Sequence, residues 1–166
     1  MSRLIRCCAA AALGIVVAGL TPATPSVAAP QPPEPITYDL PAGQGCAFAL
    51  HIHGEGGNRV ERVSTDVHVI SAGKGYTLTF TNADTGKTLT LDGNGSVEIK
   101  KDNGDGTVTF TNLGHNVLVL FPTDVPAGPS TTLYVGSVVY TVDLLTGVFK
   151  LNAHSGRTTD ICAALS

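Results

Sequence analysis

Short runs in which apolar and polar residues alternate, each closed by turn residues, recur from Cys46 to the C-terminus, and this pattern restricts the fold more than any other feature. In one such run Tyr76, Leu78 and Phe80 share a face while Thr77, Thr79 and Thr81 take the other. Val108 and Phe110 alternate with Thr107, Thr109 and Thr111 in the same way, and the pairs Leu89/Leu91, Val97/Ile99 and Phe149/Leu151 keep the period. A period of two is the mark of a strand with one buried face, because successive side chains point to opposite sides of a sheet. No segment carries a convincing apolar period of 3.6, so the chain is expected to be all-β. The pattern predicts nine or ten strands, at about 46–53, 59–70, 76–82, 87–92, 95–101, 106–111, 115–121, 131–136, 138–144 and 147–153.

The turn residues agree with this. Residues 84–87 and 145–148 each hold a Thr-Gly pair, and Asn94-Gly95 and Asp105-Gly106 are dipeptides that tight hairpins favour. Connections this short predict an antiparallel meander. So many strands protect their edges by closing, and the expected architecture is a closed or nearly closed barrel, with a two-sheet β-sandwich as the alternative. Residues 117–121 (Val, Leu, Val, Leu, Phe) do not alternate, which predicts a strand covered on both faces. The one long connection, residues 122–130, holds three prolines and is expected to be ordered. Residues 77–82 and 107–112 read almost identically, which strand composition alone accounts for.

The N-terminus has the three parts of a secretory signal: Arg3 and Arg6, an apolar run from Ala9 to Leu20, and a small-residue stretch ending at Ala28 and Ala29. The apolar run falls short of the ~20 residues that span a bilayer. The expected organisation is a signal peptide over 1–28, cleaved after Ala28 or Ala29, a Pro-rich linker over 29–40 and a single all-β domain over 41–166. No membrane span remains after cleavage. Cys7 and Cys8 leave with the signal, so Cys46 and Cys162 remain and, in an oxidising compartment, are expected to form a disulfide. The mature chain keeps thirteen acids and eight of ten bases, for a net charge of 8 − 13 = −5. That balance disfavours nucleic acid or an anionic membrane surface as partner.

Four stretches carry a resemblance: Thr81 and Asn82 with Thr85, Gly86 and Lys87; Gly114, His115 and Asn116; residues 121–129; and residues 159–164. In these the chain resembles an uncharacterised group of secreted actinobacterial proteins, over nearly the whole mature length. The resemblance implies export and lineage and transfers no catalytic residue.

His51 and His53 are the most suggestive pair, since residues two apart on a strand point the same way and both imidazoles can face one metal. Further ligands have to come from His68, His115, His154 or an acid. Phe48, Leu50 and Ile52 place the two histidines on the wetter face, and exposed strand histidines are the commoner situation. Ser64, Asp66 and His68 share a face, but spread too far along one strand to make a triad, and no Gly-x-Ser-x-Gly elbow exists. His115 reads as part of a turn, and residues 101–106 read as a hairpin, since they lack the acid spacing of a calcium loop. The glycine-rich stretch 51–58 is the first place to look for a functional mouth. The alternating threonines also offer a flat hydroxyl array, though solvated strands favour threonine anyway.

The function expected from the sequence is therefore a secreted, non-enzymatic binding or interaction module without a cofactor, its partner an extracellular protein or small ligand. The alternatives are a metal-assisted hydrolase centred on His51 and His53, and an inhibitor that inserts the 122–130 loop into another secreted protein.

Overall fold

A computed structural model describes residues 34–65, 68–93 and 95–166, the side chains of 62–65 and 68 excepted. The proposed leader, the start of the linker and Asp66 lie outside the described residues, as do the side chains of Ser64 and His68. Ten strands and a terminal helical turn run in order: β1 (Ile36–Leu40), β2 (Leu50–Glu55), β3 (Asn58–Thr65), β4 (His68–Lys74), β5 (Thr77–Asn82), β6 (Thr88–Asp92), β7 (Ser96–Asp102), β8 (Thr107–Leu120), β9 (Ser130–Asp143), β10 (Phe149–Asp160) and α1 (Ile161–Leu165). The all-β expectation holds.

The strands form two antiparallel sheets, ordered β1-β2-β5-β6 and β10-β9-β8-β7-β4-β3. The expected closed barrel is thus corrected to two separate sheets, which fits the sandwich alternative. The reason lies in the short connections. β2 pairs with β5 and β4 with β7, so the links after β2, β4 and β6 carry the chain between sheets where a meander would have hairpins. Glycines allow these tight crossings: Gly56 and Gly57 have φ of 76° and 87°. Two of the crossings also bond to each other, the Gly75 N–H donating to the Gly93 carbonyl at 2.7 Å and the Gly93 N–H to that of Tyr76 at 2.9 Å.

Several strand limits change as well. The last five residues assigned to the linker form β1, which pairs along its whole length with β2. Residues 59–70 divide into β3 and β4, which pair with each other. The segments 106–111 and 115–121 belong to the single strand β8, and 131–136 and 138–144 to β9. Gly114 and Gly136 lie opposite each other, and Gly156 of β10 continues the row. All three have positive φ, at 96°, 144° and 89°, a region that L-residues with side chains rarely enter. A methyl on Gly136 would strike the Ser155 carbonyl, and one on Gly114 the carbonyl of Gly95.

The six-stranded sheet folds back at this row. Leu118 and Leu120 of β8 and Tyr134 of β9 therefore meet Val138, with Tyr140, Phe149 and Leu151 packed against them. The other face of the returning limb places Val117, Val119 and Leu133 against the core of the four-stranded sheet. Residues 117–120 are thus covered on both sides, as their unbroken apolar run predicts.

The main core joins Cys46, Leu50, Ile52 and Phe80 to Ile161 and Leu165 of α1. This helix, unforeseen in the sequence, is only five residues long, too short to show a periodicity. Its ends are nevertheless tied: Asp160 caps it by accepting from the Ala163 N–H at 2.9 Å, and Ile161 and Leu165, one turn apart, are fully buried. Cys46 and Cys162 stand at disulfide distance, their Cα atoms 5.5 Å apart, joining the start of the domain to α1. None of the helices among the described residues is long and apolar enough to cross a membrane.

The predicted turns at 84–87 and 145–148 share one design. Asn82 Oδ1 accepts from the N–H groups of Asp84 and Thr85, at 2.9 and 3.3 Å. Asp143 Oδ1 accepts from those of Leu145 and Thr146, at 2.8 and 2.9 Å. These backbone donors hold the Asp143 carboxyl below its usual pKa. At 101–106 the hairpin reading also holds, with Asp105 accepting from the Thr107 hydroxyl and N–H and titrating below its usual range as a result.

A polar cleft beyond the core as candidate functional site

Along β2 the inward positions are Leu50, Ile52 and Gly54. The first two fill the core; the third has no side chain, and the apolar packing ends there. Gly54 lies between Ile36 of β1 and Leu78 of β5, and a methyl on it would approach their side chains to 2.7 and 2.8 Å. Beside this row lies a cleft of about 260 Å³. Ile36, Leu78 and Val117 form its apolar wall, and the six-stranded sheet supplies a polar one: Ser96 and Glu98 from β7, Asn112 and Asn116 from β8, and Tyr140 from β9. Arg59, Tyr76 and His115 complete the lining.

Register explains the polar wall. Glu98 lies directly opposite Asn112 and Lys100 opposite Phe110, so both pairs rise from one face of the β7–β8 ladder. Phe110 stacks on Tyr140 at 5.1 Å, Tyr140 stacks on Phe149 at 5.5 Å, and the Lys100 ammonium lies 5.8 Å over the Phe110 ring. This stack fixes the Tyr140 ring beside Asn112. Burial, and next the negative charge of Glu98, push the Tyr140 hydroxyl up to about 12, with a hydrogen bond to the Asn112 side chain acting the other way. Tyr140 is therefore neutral throughout the physiological range.

Two amide atoms in the cleft are buried without a partner, Asn112 Oδ1 and Asn116 Nδ2. Asn112 is only 9 % exposed. Buried polar atoms are nearly always paired, since leaving one unpaired costs roughly 1–3 kcal/mol. The same fold shows a satisfied case. Asn82, which ends the almost identical run in β5, donates to the Leu165 carbonyl at 3.1 Å and accepts from two turn N–H groups. One orphan is an acceptor and the other a donor.

The residues singled out by sequence lie elsewhere. His51 and His53 share the outer face of the four-stranded sheet, as their alternation with Leu50 and Ile52 predicts. His51 Nδ1 is 2.6 Å from an Asp39 carboxylate oxygen, and His53 Nδ1 is 3.3 Å from the Thr37 hydroxyl. Among the described residues no group of three His, Cys, Asp or Glu side chains is placed to hold a metal ion. His154 stacks on Tyr134 at 5.3 Å, and His115, read as part of a turn, stands within β8 at the cleft. On the same sheet Thr79, opposite His53, bonds to Thr90, and the Thr77 hydroxyl donates to Asp92, each at 3.1 Å.

The 122–130 loop is built into the fold. Asp124, 4 % exposed, accepts from the Phe121 and Phe149 N–H groups at 2.6 and 2.8 Å, and Val125 bridges to Lys150. A wider groove of about 410 Å³ runs between Leu91 and Asp92 of β6 and Leu133 and Arg157 of the other sheet, sharing His115 with the cleft.

Sequence reasoning missed Arg59, Glu98, Asn112, Asn116 and Tyr140. Residues 51–58 end at the crossing of Gly56 and Gly57, next to Arg59 of the cleft. The histidines that made that stretch attractive face away from the cleft. No known protein family matches this chain, and neither a curated protein nor a solved structure is similar to it.

Proposed function

We propose that this protein is an exported binding module that takes up a small polar molecule in the cleft between Gly54 and Tyr140, without performing chemistry on it. The observation that carries the reading is the pair of unpartnered buried amide atoms, Asn112 Oδ1 and Asn116 Nδ2, in one cleft. A ligand that donates to the first and accepts from the second offsets the cost of burying both. The volume, about 260 Å³, lies just below the ~300–1,000 Å³ of pockets that hold drug-sized ligands, which suits a smaller molecule. The mix of an apolar wall and a few convergent polar groups is the usual make-up of a ligand site. Tyr140 is held neutral. Export rests on the N-terminal pattern and on the Cys46–Cys162 pair.

The test is a ligand-detected NMR screen of the exported protein against amino acids and short peptides, monosaccharides, nucleosides and small organic acids. The Asn112→Leu/Asn116→Leu variant serves as control. Saturable binding by one class, lost in the variant, supports the reading. Binding that survives in the variant, or no binding by any class at millimolar ligand, overturns it.

A further inference from the structure

The charges at the cleft narrow the ligand. Arg59 and Glu98, of opposite sign, both line it. Among the described residues the one ion pair is His51 with Asp39, so neither Arg59 nor Glu98 is neutralised by a partner there. Both fields reach the Tyr140 hydroxyl, Glu98 raising its pKa and Arg59 lowering it, so both charges lie within electrostatic reach of one group in the cleft. The same cleft is lined by Asn112 and Asn116, whose Oδ1 and Nδ2 are an unpaired acceptor and an unpaired donor.

We propose that the ligand is a zwitterion of dipeptide size, its carboxylate on Arg59, its ammonium on Glu98 and its peptide group between Asn112 and Asn116. This rests on the cleft being a binding site. A peptide group offers one N–H and one carbonyl, matching one orphan acceptor and one orphan donor. A guanidinium forks onto a carboxylate through two parallel bonds. The apolar wall of Ile36, Leu78 and Val117 receives small side chains. A neutral sugar leaves both charges unmatched. An anion or a cation alone matches one charge and meets the other as a repulsion.

Isothermal titration of the exported protein with alanyl-alanine tests this, using the free dipeptide, its N-acetyl form, its C-terminal amide and the doubly blocked form. A monosaccharide and a nucleoside are run beside them. The expected result is saturable binding of the free dipeptide, weakened about tenfold or more by blocking either end, a loss of at least ~1.4 kcal/mol. Arg59→Gln is expected to bind the free dipeptide and its amide alike, and Glu98→Gln to bind the free and acetylated forms alike. Arg59 is exposed and Glu98 only half-buried, so both variants are expected to fold. Blocked and free forms binding equally, or either variant keeping the parent's discrimination, overturns the zwitterion. Binding of the sugar or nucleoside alone, abolished by Asn112→Leu/Asn116→Leu, overturns the zwitterion while the cleft reading stands. Binding by none of them overturns the zwitterion, and with the same silence across the wider screen the cleft reading falls too.

Discussion

Asn82 and Asn112 close the same five-residue phrase, Thr-Leu/Val-Thr-Phe-Thr, and meet opposite fates. Asn82 holds a turn to the C-terminal helix; Asn112 presents an unpaired oxygen to a cleft. Asn82 is bonded through both its amide oxygen and its nitrogen, whereas Asn112 is bonded only to the Tyr140 hydroxyl and leaves its oxygen unpaired, so less is lost when Asn112 is removed. Asn82→Leu is therefore expected to lower stability by ~2–3 kcal/mol, and Asn112→Leu to stay within ~1 kcal/mol of the parent, as urea unfolding would measure. Comparable losses at both sites would contradict the assignment. Tyr140 gives a second test at this scale. Its folded pKa of about 12 lies above the ordinary tyrosine value of 10.0, so the unfolded chain ionises first on raising the pH. The stability tied to the neutral hydroxyl is fully present below pH 10 and is lost as pH climbs toward 12. The unfolding temperature is expected to fall over that window, and Tyr140→Phe to flatten the fall. An equal slope in the variant would assign it to other groups. Nothing in the sequence separates Asn112 from Asn82, because the difference lies in what the fold places beside each.

Among the elements, the glycine row Gly114, Gly136 and Gly156 does the most to shape the six-stranded sheet. β8 and β9 were each expected as two strands, divided beside two of these glycines, Gly114 and Gly136. Only pairing reveals that the three glycines align across three strands and bend one sheet. Gly136→Ala combines a left-handed φ with a methyl aimed at the Ser155 carbonyl. A loss of ~2–4 kcal/mol is expected in thermal or denaturant unfolding, from the named causes of backbone strain and overpacking. A loss below ~1 kcal/mol would mean that the bend is not fixed there. The alternating strands, the Asx-capped turns and the doubly covered run at 117–120 were legible, because each depends on local spacing. β1 was hidden by the prolines before it, and α1 by its brevity. The inter-sheet crossings look like hairpins until the partner of β2 is known to be β5.

At the level of the whole molecule, the core occupies one end of the space beside the four-stranded sheet and the cleft begins where Gly54 interrupts its inner face. The disulfide closes the core end, joining Cys46 to the residue after Ile161 across 116 positions. A loop of that length is worth roughly 4–5 kcal/mol on the chain-entropy account. Reduction or Cys46→Ser is expected to lower the unfolding temperature markedly while the β signal persists in mild conditions. An unchanged transition would show that the crosslink is absent or contributes nothing. This pairing was legible by elimination, once Cys7 and Cys8 were set aside as part of an expected leader. The sequence conveyed the cleft poorly, since Arg59, Glu98, Asn112, Asn116 and Tyr140 come from four strands and lie up to 81 positions apart. Its histidines, by contrast, drew attention to a surface where polar groups already satisfy one another.

The central claim is that the amide demand in this cleft is met by a ligand, and side-chain NMR tests it directly. Titrating free alanyl-alanine into the ¹⁵N-labelled protein is predicted to shift the side-chain NH₂ resonances of Asn112 and Asn116, saturating together, while those of Asn82 stay fixed. Movement of Asn82 alone, or no movement at Asn112 and Asn116 with any class of small polar ligand, would contradict the account.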